Sequence, residues 1–185
     1  MRACQNPVMQ WHVHGERSLY RSEWVGLALV DVEIPGGDRF DHHVVRFPRP
    51  AAGVILHDAE RGVLLLWRHR FITDSWGWEI PAGAVEVGET IEQGAAREAL
   101  EESGWAPGPL EKVCCFHPAI GVSDQTFHVF IARGAAHHGE PTDASESERI
   151  EWHTVGALRD LIRRGEVNDG LSLAGLSTAL ALDLL

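Results

Sequence analysis

No run of apolar residues in the 185-residue sequence is long enough to span a bilayer, and the opening stretch MRACQNPVMQ lacks the apolar core of a signal peptide. Cysteine is scarce. There are three, Cys4, Cys114 and Cys115, an odd number of which two are adjacent and badly placed to bridge each other, so a disulfide framework is excluded and a reducing, cytoplasmic setting is expected. Internal repeats and long low-complexity segments are missing, as are the glycine fingerprints of dinucleotide-binding and Walker-type phosphate loops. Positive charge is in deficit: 16 Lys and Arg stand against 27 Asp and Glu, a net charge of −11. That balance argues against nucleic acid and anionic membrane as partners. A small anionic substrate stays open where a cation mediates its binding.

What is present is an ordinary globular composition, 44% hydrophobic and 23% charged, in a chain long enough for one domain with a real core. WVGLALVDVEI (24–34) reads as a strand, PGGD (35–38) as a turn, and DHHVVRF (41–47) as the antiparallel return. A boundary falls near residue 50, giving an N-terminal β segment (1–50) and a main domain (51–185). Further strands are expected at 52–58, 63–69, 76–82, 111–117, 127–133 and 149–155. Thr90 and Gln93 have capping-box spacing and Gly104 is a helix stop, so a helix fills the interval. VGALRDLIRRG (155–165) and LSLAGLSTALALDLL (171–185) read as two more helices. Strands and helices that do not alternate regularly imply helices packed on a mixed sheet, an α/β (α+β) class.

The segment REALEESG (97–104) poses a physical problem. At roughly 100° per residue, Glu98 and Glu102 lie about 40° apart with Glu101 on their flank, so three carboxylates share one helix face. Like charges at i,i+4 cost a few tenths of a kcal/mol, whereas surface helices usually alternate signs. Ala95, Ala96 and Ala99 let the helix sit close to a neighbour, and Ile91 and Leu100 are expected in the core. A glycine-bearing loop, PAGAVEVGE (81–89), feeds this helix. A hard divalent cation resolves the repulsion, because Mg²⁺ takes oxygen ligands and keeps waters and phosphates in its shell.

Gly83, five residues, Glu89, seven residues and then REALEESGW (97–105) resembles the signature box of the Nudix hydrolase family. WGWEIPAG, the strand ending in RHR, the N-terminal hairpin and GEVNDGLSLAGL are similar to its ADP-ribose pyrophosphatase branch. The resemblance implies an α/β/α sandwich preceded by an antiparallel hairpin segment that pairs with a second subunit and contacts the substrate base. It implies hydrolysis of a nucleoside diphosphate linked to another moiety, ADP-ribose giving AMP and ribose 5-phosphate, with GDP-mannose or a dinucleotide as other substrates. The implied cofactor is Mg²⁺, with Mn²⁺ as a substitute, held by Glu98, Glu101, Glu102 and the carbonyl of Ala82. Arg97 would hold the loop and the glutamates, and Glu89 would support the box. A non-catalytic ADP-ribose sensor is the competing class; such domains lose box glutamates, and all are present here.

Other positions carry two readings each. Asp124 in PAIGVSDQ is a general base or a turn former, and Gln125 stands where the branch has a glutamate; Glu101 is the other candidate base. Arg70 meets a substrate phosphate or is a surface charge. Glu79 faces the substrate or is a polar strand residue. Trp24, and with it Trp76 and Trp78, stacks on a nucleobase or packs in the core.

Overall fold

A computed structural model describes residues 9–143 and 147–185, so Cys4 and the rest of MRACQNPV lie outside the described residues. The chain divides into two compact units, one of Met1–Pro48 with Ala119–Gln125, the other of Arg49–Pro118 with Thr126–Leu185.

In the first unit, β1 (His12–Arg21), β2 (Gly26–Glu33) and β3 (Arg39–Arg46) form an antiparallel sheet in chain order. The sequence predicts the β2–β3 hairpin; β1 is an addition. All ten of its residues are exposed and its register is irregular at two points, so HVHGERSLYR carries none of the alternation that marks a half-buried strand. The 119–125 segment lies along β3, with the Val45 N–H donating to the Val122 carbonyl at 2.8 Å and the Asp124 N–H to the Val45 carbonyl at 3.3 Å.

The second unit contains, in chain order, β4 (Ala51–Asp58), β5 (Gly62–Arg70), β6 (Ser75–Glu79), β7 (Ala82–Ala84), α1 (Ile91–Ser103), β8 (Trp105–Pro107), β9 (Leu110–Phe116), β10 (Phe127–Arg133), β11 (Ala135–His137), β12 (Arg149–His153), α2 (Val155–Arg164) and α3 (Gly170–Ala181). Its main sheet runs β12-β5-β4-β10-β9, with β6 paired to β5 and β7 to β4. The β4–β10 pair is parallel and the other pairs are antiparallel, which makes the sheet mixed. The expected strand 76–82 is split. Pro81, which has no N–H to donate, lies where the chain leaves β5 for β4. The short pair β8 and β11 is not foreseen in the sequence.

Both faces of this sheet are covered. Ala95 and Ala99 of α1 pack with Ala52, Val54, Leu56 and Leu64 on one side. Leu158 and Leu161 of α2, with Leu171, Leu176 and Ala179 of α3, pack with Ile55, Val63, Leu65 and Trp78 on the other. The result is the expected α/β/α layering. Alternation along β5 sends Val63, Leu65 and Trp67 to the α2/α3 side and Leu64, Arg68 and Arg70 to the α1 side.

Helix α1 starts as predicted. The Gln93 N–H donates to Thr90 Oγ1 at 3.2 Å and the Thr90 N–H to Gln93 Oε1 at 2.8 Å, closing the capping box. Gly104, at φ 73°, ends it in the left-handed region. One expectation fails: Leu100 is exposed, because the alanines make the close contact with the sheet and turn position 100 outward. Among the described residues no helix is long and apolar enough to cross a membrane.

Candidate active site

The box closes around Arg97. Its Nε donates to Glu89 Oε1 at 2.8 Å and its Nη2 to Glu89 Oε2 at 3.2 Å and to the Ala84 carbonyl at 3.0 Å. Its Nη1 donates to Glu98 Oε1 at 2.9 Å and to Glu101 Oε2 at 2.8 Å. A planar fork of donors is suited to this, and a lysine ammonium could not span the same partners. Glu89 also accepts the Glu86 N–H at 2.9 Å, which ties the incoming loop to the helix. Arg97 beside it holds the Glu89 carboxyl below its usual range. The like-charge cost expected for Glu98, Glu101 and Glu102 is therefore offset by arginines.

Glu102 stands apart from its neighbours in burial. Its side chain is 3% exposed, against 36% for Glu101. Oε2 accepts the Ala82 N–H at 2.8 Å and Oε1 accepts from Arg68 Nη1 at 2.9 Å. Burial pushes its pKa up to about 7, against the downward pull of the Arg68 charge and of both hydrogen bonds. Glu79 is also buried and is held by Arg70 through Nε at 2.9 Å and Nη2 at 2.5 Å. Arg70 itself is 52% exposed. Glu79 thus faces Arg70 rather than open solvent. Arg68 and Ser147, which complete this network, are not singled out by the sequence reading. The alternation within RHR, which puts Arg68 and Arg70 on one strand face, was the available signal.

The set suits a hard cation in two respects. Its donors are carboxylate oxygens, the chemistry Mg²⁺ and Mn²⁺ take. Gly83 also leaves a cradle for Glu98: a Cβ there would stand 2.2 Å from the Glu98 carboxylate carbon. Among the described residues no three His, Cys, Asp or Glu side chains already converge in a metal-holding arrangement. Arg97 Nη1 draws Glu98 and Glu101 to itself, so a cation held there would compete with that contact.

Two of the named residues lie in the other unit. Asp124 accepts the Phe47 N–H at 2.9 Å through Oδ1 and pairs with Arg46 Nη1 at 3.2 Å through Oδ2. Trp24 sits in the Ser22–Val25 turn, 65% exposed, its N–H donating to Ser22 Oγ at 3.2 Å. Of the remaining tryptophans, Trp78 is core, and Trp76 stacks on Trp67 at a centroid distance of 6.0 Å.

Comparison with known proteins gives the family and the fold. The family model for the NUDIX domain matches residues 47–172. A CMP-5'-(N-acetyl-N-hydroxy-3-aminopropyl)phosphonate hydrolase of Streptomyces rubellomurinus is 36% identical over 174 residues, 94% of this chain and 84% of the relative. An ADP-ribose pyrophosphatase of Bacillus subtilis is 29% identical over 148 residues, 80% of this chain and 79% of the relative. A crystal structure described as an ADP compounds hydrolase superposes with a TM-score of 0.82 over 94% of each chain at 17% identity, a likeness of fold. With the family model covering residues 47–172, the Arg97 box included, the chain belongs to the Nudix family of pyrophosphohydrolases and resembles its ADP-ribose pyrophosphatase branch.

Proposed function

We propose that this protein hydrolyses the phosphoanhydride of a nucleoside diphosphate joined to a second moiety, in a reaction dependent on Mg²⁺ or Mn²⁺, with ADP-ribose giving AMP and ribose 5-phosphate as the first reading. The observation that carries it is the Arg97-centred carboxylate set folded against Gly83. Glu98, Glu102 and the Ala82 carbonyl would hold the metal, with Glu101 kept for the base role below. When bound, the cation neutralises diphosphate charge and acidifies a coordinated water. Arg70, half exposed at the end of β5, binds a substrate phosphate. Trp24, on the exposed turn, offers an aromatic face to a nucleobase. Arg97 keeps the glutamates oriented.

For the base we favour Glu101 over Asp124. Both Asp124 oxygens are already engaged, Oδ1 by the Phe47 N–H and Oδ2 by Arg46. Glu101 has one oxygen on Arg97 and keeps Oε1 outside that contact. The proton of the attacking water passes to Glu101 as the new P–O bond forms and the bridging P–O bond breaks. Gln125, an amide, cannot take that role.

A second reading has its own support in the 36% identity to a hydrolase of a CMP-linked phosphonate. Its substrate would likewise be a nucleoside monophosphate joined by an anhydride to a second phosphorus, here carrying carbon directly. A panel of ADP-ribose, a CMP-linked phosphonate, GDP-mannose and a dinucleotide, with Mg²⁺ or Mn²⁺ and products resolved by chromatography, decides between them by kcat/KM. ADP-ribose is expected to lead, and the Glu101→Gln protein to lose roughly 10²–10⁴ in kcat while Asp124→Asn stays near wild type. Preference for GDP-mannose or a dinucleotide would overturn both substrate readings, and a slow Asp124→Asn with a normal Glu101→Gln would move the base.

A further inference from the structure

Arg68 is placed where a strand pattern alone would put an apolar residue. It shares its face of β5 with Leu64 and Leu66, both fully buried, and its own side chain is 3% exposed. Taking a guanidinium out of water costs several kcal/mol unless it is well paired. Packing does not require that cost, since the preceding positions on this face are filled by leucine. The reason lies in what the fork reaches.

Nη1 donates to Glu102 Oε1 at 2.9 Å and Nη2 to Ser147 Oγ at 3.1 Å. Nε stands 4.0 Å from Glu79 Oε2. Glu79 is gripped on both oxygens by Arg70, and Glu102 is pinned on its other oxygen by the Ala82 N–H. A continuous line therefore runs from Arg70 through Glu79, Arg68 and Glu102 to the backbone at Ala82. One end is the arginine read as a phosphate contact; the other is a carboxylate read as a metal ligand. Arg68 hydrogen-bonds the Glu102 half and stands at ion-pair distance from Glu79, and it comes from β5, outside the signature box. Ligating carboxylates are commonly aimed by such outer partners, whose loss costs about 10–100-fold in metal affinity or activity.

We propose that Arg68 is a positioning residue that fixes the Glu102 carboxylate for the divalent cation and couples it to the Arg70–Glu79 pair. The inference rests on the reading of the box glutamates as metal ligands. It gives β5 a double task, presenting Arg70 outward and setting the box from behind. Lysine cannot reproduce Arg68, because its donors radiate from one nitrogen and cannot span Glu102 and Ser147 as the separate Nη1 and Nη2 do.

The test is direct Mn²⁺ binding to the substrate-free protein, followed by electron paramagnetic resonance or calorimetry, for wild type, Arg68→Lys, Arg68→Met and Glu98→Gln. Circular dichroism and melting establish which variants are folded. Folded Arg68 variants are expected to bind Mn²⁺ about 10–100-fold more weakly and to lose kcat by a similar factor, with KM for ADP-ribose little changed. A residue that only stabilised the fold would lower the melting temperature and leave Mn²⁺ affinity of the folded protein intact. Should Arg68→Met fail to fold, Arg68→Lys, which retains the charge and loses the fork, carries the decision. Wild-type Mn²⁺ affinity in a folded Arg68 variant, with weakened binding in Glu98→Gln, overturns this inference alone. Wild-type affinity in Glu98→Gln as well overturns the metal reading of the box and this inference with it.

Discussion

Glu102 shows how one side chain's surroundings set its chemistry. Glu98, Glu101 and Glu102 are the same residue type within one and a half helical turns, yet only Glu102 is nearly sealed from solvent. Burial pushes its carboxyl up from 4.5 to about 7. A pKa raised on folding means that the folded state holds a proton the unfolded chain has already released. Stability from this group is therefore complete below about pH 4.5 and is lost as pH rises through 7. At roughly 1.4 kcal/mol per unit, the loss is on the order of a few kcal/mol. Urea titrations in chelator at pH 4.5 and pH 8 are expected to show wild type losing more stability over this span than Glu102→Gln, which cannot titrate. Equal losses in the two proteins would mean that Glu102 ionises normally.

At the scale of elements, the loop–helix junction is built by the fit of β7 against α1. Gly83 in β7 is required by contact: its φ lies outside the left-handed region, and the obstruction to a Cβ is the end of the Glu98 side chain. A flexible carboxylate can swing away, so Gly83→Ala is expected to fold with a melting temperature close to wild type. Its activity is expected to fall about 10–100-fold through misplacement of Glu98. Steady-state kinetics beside a thermal melt checks this, and wild-type turnover in Gly83→Ala would remove Gly83 from the site. Helix α1 was legible from its capping box and terminal glycine, and the box spacing located Arg97 and its carboxylates. β8 and β11, three residues each, are too short to carry a period. Arg68 escaped because buried arginine is uncommon, and a charge in a strand ending RHR reads as the strand's wet end until its partners are known.

For the whole molecule, the division into units could not be written as a single cut in the sequence. Residues 119–125, expected as a loop of the main domain, group with the N-terminal sheet through hydrogen bonds to Val45 and from His42 to the Gly121 carbonyl. Long-range pairing of this kind leaves no local pattern to read. The same unit presents a liability that motivates the remaining prediction. β1 is an edge strand whose ten residues are all exposed, and Trp11, Val13, Leu19 and Tyr20 in and beside it place apolar surface in water. An unpaired, partly apolar edge of this length is a template for another chain, and a closed symmetric partner is the common way to cover it. We therefore propose a homodimer assembled through the N-terminal sheet. Light scattering at micromolar concentration is expected to give twice the 20.4 kDa chain mass. Replacing Val13 and Leu19 with lysine places like charges opposite one another across a two-fold interface and is expected to shift the protein toward monomer with the α/β/α unit still folded. A monomer mass for the wild-type protein would show that the edge is left open and that the N-terminal sheet acts within a single chain.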